Sequence, residues 1–188
     1  MSIPDKPNPL IDAYNHGARE DSPVRAIDEQ TPRVAGGGRY QLHHRLGAGR
    51  LGDVYKGVDT KLDRQVAVKL IKPEIAAKAE VASRFAPTVR ALGRVTHLGL
   101  LHIVDFGQDE EGLYTVTELI EGPSLAFLFE EMRTHSQWLA LAEALDLVRL
   151  VAQAADALYS QTNQALRIMP EKIKFRGMAG YALPAEIS

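Results

Sequence analysis

The hydrophobic pattern of the chain changes character twice. Over 1–38 apolar residues are scattered among prolines (Pro4, Pro7, Pro9, Pro23, Pro32), mixed charges and Gly36-Gly37-Gly38, a composition that reads as a flexible leader. From Arg39 onward, short apolar and β-branched runs predict strands at 39–46, 53–59 and 65–71. In the third run Val66, Val68 and Leu70 share one face, and Ala67 and Lys69 share the other. A helical pattern follows over 74–95. Two more strands, near 102–106 and 113–119, flank the turn Asp109-Glu110-Glu111-Gly112. The second change comes after 121. Helices are predicted at 124–133 and 142–164, and in the latter Leu147, Val151, Ala154 and Leu158 recur at steps of four, three and four. Residues 165–188 show no clear period. The expectation is an α+β chain with five antiparallel strands and one helix over 39–121, then a helical part over 122–188.

Composition narrows the function classes. The 188 residues suit one domain plus a tail, and 45% hydrophobic with 24% charged residues is ordinary for a globular protein. A net charge of −2 gives no electrostatic case for nucleic acid or an anionic membrane. The absence of cysteine excludes disulfides and thiolate metal sites and suits a reducing compartment, so the expected location is cytoplasmic. No apolar run approaches the ~20 residues of a membrane span, and the amino terminus has no apolar signal core.

The chemistry concentrates in residues 46–69. Gly47, Gly49 and Gly52 have G-x-G-x-x-G spacing, which lets backbone approach a bulky anion closely. The third glycine leads into Asp53-Val54-Tyr55-Lys56-Gly57-Val58, a strand-like run. In a dinucleotide fold it would open a helix. A G-x-x-x-x-G-K-[ST] phosphate loop fails as well, because Asp53-Val54 stand where Lys and Ser/Thr are required. What remains is a glycine-rich hairpin with a lysine on the next strand, in Val66-Ala67-Val68-Lys69.

On these motifs, residues 40 to about 164 resemble the bacterial serine/threonine protein kinase domain: its small lobe and the first helices of its large lobe. The glycine loop, the V-A-V-K lysine, the His97 region and the stretch Glu118-Leu119-Ile120-Glu121-Gly122-Pro123-Ser124-Leu125 come in that family's order. The resemblance implies ATP as the bound nucleotide. It implies a binding set of Leu46, Gly47, Ala48, Gly49, Gly52, Val54, Ala67, Lys69, Thr117, Glu118 and Ile120. In that set Lys69 would meet phosphate, the Glu118 carbonyl and Ile120 amide would meet adenine, and Thr117 would gate the back of the pocket.

The same resemblance exposes departures. Leu51 replaces an aromatic residue at the loop tip. Thr88 stands where a helix glutamate would pair with the lysine, and Glu80, eight residues earlier, is about 12 Å away along a helix. Pro87, inside that helix, predicts a kink or a fresh start. Asp105-Phe106-Gly107 spells the family's magnesium motif but precedes the linker, so a structural role is expected. His97 and His102 read as helix-end and strand residues rather than ligands, and the pair His43-His44 lacks a partner at metal-ligand spacing. After the long helix the family has H-R-D-x-K-P-E-N, whereas this chain has Ala165-Leu166-Arg167-Ile168-Met169-Pro170-Glu171-Lys172. Arg167, Met169 and Lys172 thus replace the catalytic aspartate, the lysine and the metal-binding asparagine. No catalytic or metal-ligating residue is assigned, and ATP would bind without a supported Mg²⁺ site. The expected function is a catalytically impaired ATP-binding module acting through partners, with a protein partner or a second copy covering the apolar helix 142–164. The alternatives are a scaffold that binds no nucleotide and a fragment of an active kinase.

Overall fold

The computed structural model describes residues 33–165, 168–176 and 181–182. Its first half is an antiparallel sheet of six strands: β1 (Arg33–Ala35), β2 (Tyr40–Ala48), β3 (Gly52–Asp59), β4 (Arg64–Ile71), β5 (Ile103–Asp109) and β6 (Gly112–Glu118). Their spatial order is β1-β2-β3-β4-β6-β5. The five expected strands are present. The sixth, β1, comes from the stretch read as leader and pairs with β2 in the register Arg33↔Leu42 to Ala35↔Tyr40. The glycine triplet that suggested flexibility makes the turn between them. Gly36, Gly37 and Gly38 have φ of +65°, +62° and +90°, values that side chains with a Cβ rarely adopt. Residues 1–32 of the expected leader lie outside the described residues.

The predicted alternation of β4 decides how the sheet is covered. Val66, Val68 and Leu70 are buried with Tyr40, Tyr55 and Val116 in a core on one face. On the opposite face Ile71 and Leu113 pack with Phe85 and Val89 of α2 (Ala79–Gly93). The helical pattern at 74–95 is therefore two elements, the short α1 (Pro73–Ala76) and α2. Pro87 lies inside α2 without ending it. The residue is exposed, and it removes one backbone donor from the helix.

At the outer end of the sheet Asp59 is fully buried. It accepts from Arg39 through Nε at 3.0 Å and Nη2 at 2.8 Å. The same guanidinium reaches Asp105 Oδ2 at 3.1 Å, and the Tyr40 hydroxyl donates to that oxygen at 2.6 Å. Asp105-Phe106-Gly107 lies within β5, and its aspartate joins β5 to β2, which is a structural role.

The helical part contains α3 (Leu125–Thr134), whose first turn is capped by the Ser124 hydroxyl accepting from the Phe127 N–H at 3.2 Å, and α4 (Leu141–Thr162). A 3-10 turn (Pro170–Lys172) leads into β7 (Lys174–Phe175), which pairs with β8 (Tyr181–Ala182). The stripe Leu147, Val151, Ala154 and Leu158 is buried as the four-three-four spacing predicts. It is covered from within the chain, by Leu128 and Met132 of α3, Ile173 and Phe175 around β7, and Leu92 of α2. This corrects the expectation that this stripe awaits a partner.

Candidate functional site

Strand register brings the predicted residues together. Gly47 pairs with Val54, Val54 with Lys69, and Lys69 with Thr115, forming one row across four strands. In the row two residues along, Lys56 pairs with Ala67 and Ala67 with Thr117. Cross-strand partners share a face, so Gly47, Val54, Ala67, Lys69 and Thr117 occupy one face of the sheet. It is the face on which α2 covers the neighbouring positions Ile71 and Leu113. Val54, Ala67, Lys69 and Thr117 are half-buried, whereas Val66, Val68 and Val116 on the other face are buried.

The hairpin between β2 and β3 closes through the Gly49 N–H donating to the Gly52 carbonyl at 2.9 Å. The Leu51 carbonyl accepts from the Lys72 N–H at 3.0 Å. Its glycines serve different ends. A Cβ on Gly52 would lie 2.1 Å from the Leu70 carbonyl oxygen, so protein backbone alone excludes a side chain there. A Cβ on Gly47 would meet no protein atom within 4 Å. Leu46 and Ala48 flank it and are exposed.

Glu118 closes β6, and 119–121 continue without regular structure toward α3. The Thr117 hydroxyl donates to the Glu118 carbonyl at 3.1 Å, which leaves that oxygen one further acceptor direction. Sequence reasoning missed three cations around this linker. Lys56, two residues after Val54 and on the same face, donates to Glu121 at 2.6 Å; the period-two rule applied to β3 could have found it. Arg176 grips the Glu118 carboxylate with two nitrogens, at 2.6 and 2.7 Å. Burial alone would raise the Glu118 carboxyl, but Arg176 and the His102 N–H hold it below the usual range. Lys174 bridges Ser124 of the linker. Alternation sets it opposite to Ile173 and Phe175, away from the helical core, and burial pushes its ammonium below the usual lysine range. Neither residue has a sequence signal, because β7 has only two residues.

The departures fall as follows. Thr88 is half-buried on α2, and Glu80 is exposed and paired with Arg84. Met169 precedes the 3-10 turn that holds Lys172, and Arg167 lies outside the described residues. His97 Nδ1 accepts from the Gly99 N–H at 3.0 Å, a local turn contact. Among the described residues no group of three His, Asp or Glu side chains converges as a metal site. Among the same residues, no helix is long and apolar enough to cross a membrane.

Comparison with known proteins agrees with this geometry. The family model described as protein kinase domain matches residues 40–166. The chain is 35% identical over 103 residues to serine/threonine-protein kinase PksC of Streptomyces coelicolor, covering 53% of this chain and 18% of that protein. It is 32% identical over 136 residues to serine/threonine-protein kinase PknD of Mycobacterium tuberculosis, covering 72% of this chain and 20% of that protein. It thus spans about a fifth of the length of these relatives. The fold is also that of the Mycobacterium tuberculosis PknI kinase domain in its crystal structure, with a TM-score of 0.67 at 22% identity over 81% of this chain and 61% of that one. These relatives are bacterial serine/threonine-protein kinases; the hairpin, the lysine-bearing strand, the linker and the first large-lobe helices lie inside the matched span, and on that ground the chain belongs to the protein kinase domain family.

Proposed function

We propose that this domain is a cytoplasmic ATP-binding module of the kinase family whose phosphoryl-transfer step is impaired and which acts through a protein partner or a second copy. The observation that carries the binding half is the row Gly47–Val54–Lys69–Thr115 beneath a hairpin in which a Gly47 side chain would touch no protein atom. Packing does not require glycine at that position, whereas close approach of a phosphate does. Lys69 supplies the ammonium for that phosphate, Val54 and Ala67 supply apolar surface for a base, and the Glu118 carbonyl and Ile120 amide supply its polar edge. Leu46, Ala48, Gly49 and Gly52 shape the loop above, and Thr117 borders the back of the face.

Impairment is argued from charge. A general base contributes ~10²–10⁴-fold, and Arg167 cannot accept a proton. No aspartate stands between Asp156 and Lys172, so the stretch aligned with the catalytic loop supplies no carboxylate base of that kind. Lys172 adds positive charge where a cation would have to sit. ATP binding is therefore expected to need no Mg²⁺.

The test is nucleotide-induced thermal stabilisation. A ligand at ten times its dissociation constant stabilises by about 1.4 kcal/mol, a shift of roughly 3–6 °C for a domain of this size. Millimolar ATP should raise the melting temperature equally with Mg²⁺ and with EDTA, and Lys69→Met should remove most of the shift. Phosphate transfer to casein or to the protein itself should stay at background. Absence of any shift in the wild type would leave the nucleotide-free scaffold as the better reading. Transfer abolished by Lys69→Met would instead establish an active enzyme.

A further inference from the structure

One carboxylate at the junction of sheet and linker gathers donors from two separate segments. Glu118 Oε1 accepts from the His102 N–H at 2.9 Å and from Arg176 Nη2 at 2.7 Å, and Oε2 accepts from Arg176 Nη1 at 2.6 Å. The Glu118 N–H also donates to the His102 carbonyl at 3.2 Å. Arg176 lies 58 residues further along the chain, directly after β7. That strand is itself fastened to the far end of the linker. The Phe175 N–H donates to the Pro123 carbonyl at 3.1 Å, and the Leu125 N–H donates to the Ile173 carbonyl at 2.8 Å. The approach at Gly122 is so close that a Cβ there would lie 1.7 Å from the Phe175 carbonyl oxygen. The segment 119–121 is thus held at one end by an ion pair and at the other by backbone contacts, both made by the same short strand.

An exposed ion pair would contribute little. This one differs in two ways. The Glu118 side chain is only 27% exposed, although Arg176 is 46% exposed, and the guanidinium engages both carboxylate oxygens, a geometry that fixes direction as well as distance. We propose that Arg176 is a positioning residue: by gripping Glu118 from β7 it holds the linker path that presents the Glu118 carbonyl and the Ile120 amide toward the cleft. The restraint on the linker stands on its own, whereas its consequence for base recognition rests on the nucleotide reading above.

Two measurements on the full chain test the two halves separately. Amide hydrogen exchange of 119–121, without ligand, should be about fivefold or more faster in Arg176→Gln, with Arg176→Lys intermediate because a single ammonium cannot engage both oxygens. Exchange in β3 and β4 should be unchanged. Titrations with ATP and with inorganic tripolyphosphate read the second half. Arg176→Gln should weaken ATP about fivefold and leave tripolyphosphate within about twofold, since only ATP has a base to meet the linker. Glu118→Gln should reproduce the exchange result through the other partner. Linker exchange unchanged in both variants would overturn the proposal. So would loss of tripolyphosphate and sheet protection together with ATP, which would mark Arg176 as a general stability residue. If wild type binds neither ligand, the nucleotide reading falls and the exchange rates alone decide the latch.

Discussion

At the scale of single residues, two glycines of one loop separate folding from binding. Gly52 is excluded from carrying a side chain by the Leu70 carbonyl 2.1 Å from its would-be Cβ. Backbone cannot retreat there without breaking the β3–β4 ladder, so Gly52→Ala should cost roughly 1–3 kcal/mol or more. Gly47→Ala adds a methyl group that touches no protein atom, and its effect on stability should stay within about 0.5 kcal/mol. Under the nucleotide reading the same methyl occupies space a phosphate needs, so ATP affinity should fall several-fold with stability intact. Urea midpoints and ATP titrations on the two variants would check this split. Equal destabilisation by both would count against it. The sequence motif makes the two glycines look alike. What separates them is the strand that each one faces, and that strand comes from elsewhere in the chain.

At the scale of elements, the carboxylate of Asp59 staples the ends of two strands and, through Arg39, a third. The hydrogen bonds from Arg39 are the largest influence on Asp59 and hold its carboxyl below the usual range. A group depressed in the folded state stabilises fully above its unfolded value, near pH 3.9, and loses that contribution as pH falls through the lower folded value. Melting temperature should therefore drop as pH falls below about 4, and Asp59→Asn should flatten that part of the profile while lowering the melting temperature at pH 7. Scanning calorimetry across the range would show an unchanged slope if the staple is irrelevant. Much of this element-level order was legible in the sequence. The alternation of Val66 to Lys69 placed both faces of β4, and the four-three-four spacing placed the buried side of α4. The strand β1 was not legible, because three residues have no measurable period and the glycines beside them suggest disorder by composition alone. Of the two expectations at Pro87, a fresh helix start is excluded because α2 runs through it: an exposed proline costs a hydrogen bond, while Phe85 and Val89, packed on Ile71 and Leu113, keep the helix in place. The strand β7 and Arg176 were out of reach, since their meaning depends on a partner 58 residues away.

At the scale of the whole molecule, α4 has a second apolar side. Leu141, Leu145, Val148, Ala152, Ala155 and Tyr159 follow one another at steps of four, three, four, three and four, which sets them roughly 120° around the axis from the buried stripe. Leu141, Leu145, Val148 and Tyr159 are 75%, 59%, 64% and 56% exposed, and Trp138 in the preceding loop is 81% exposed. These residues form a second apolar surface, distinct from the buried stripe Leu147, Val151, Ala154 and Leu158. An apolar strip along five turns of helix is more than scattered surface leucines explain, and it motivates the proposal of a protein partner or a second copy. The second copy is directly testable with this chain. Sedimentation velocity from about 1 to 100 μM should show reversible association, and the pair Leu145→Glu, Val148→Glu should leave a monomer at every concentration. Because both side chains are exposed, the melting temperature of the variant should stay within a few degrees of wild type. A wild type that remains monomeric throughout would remove self-association and leave the strip to another protein. An associated charge variant would place the contact on some other surface.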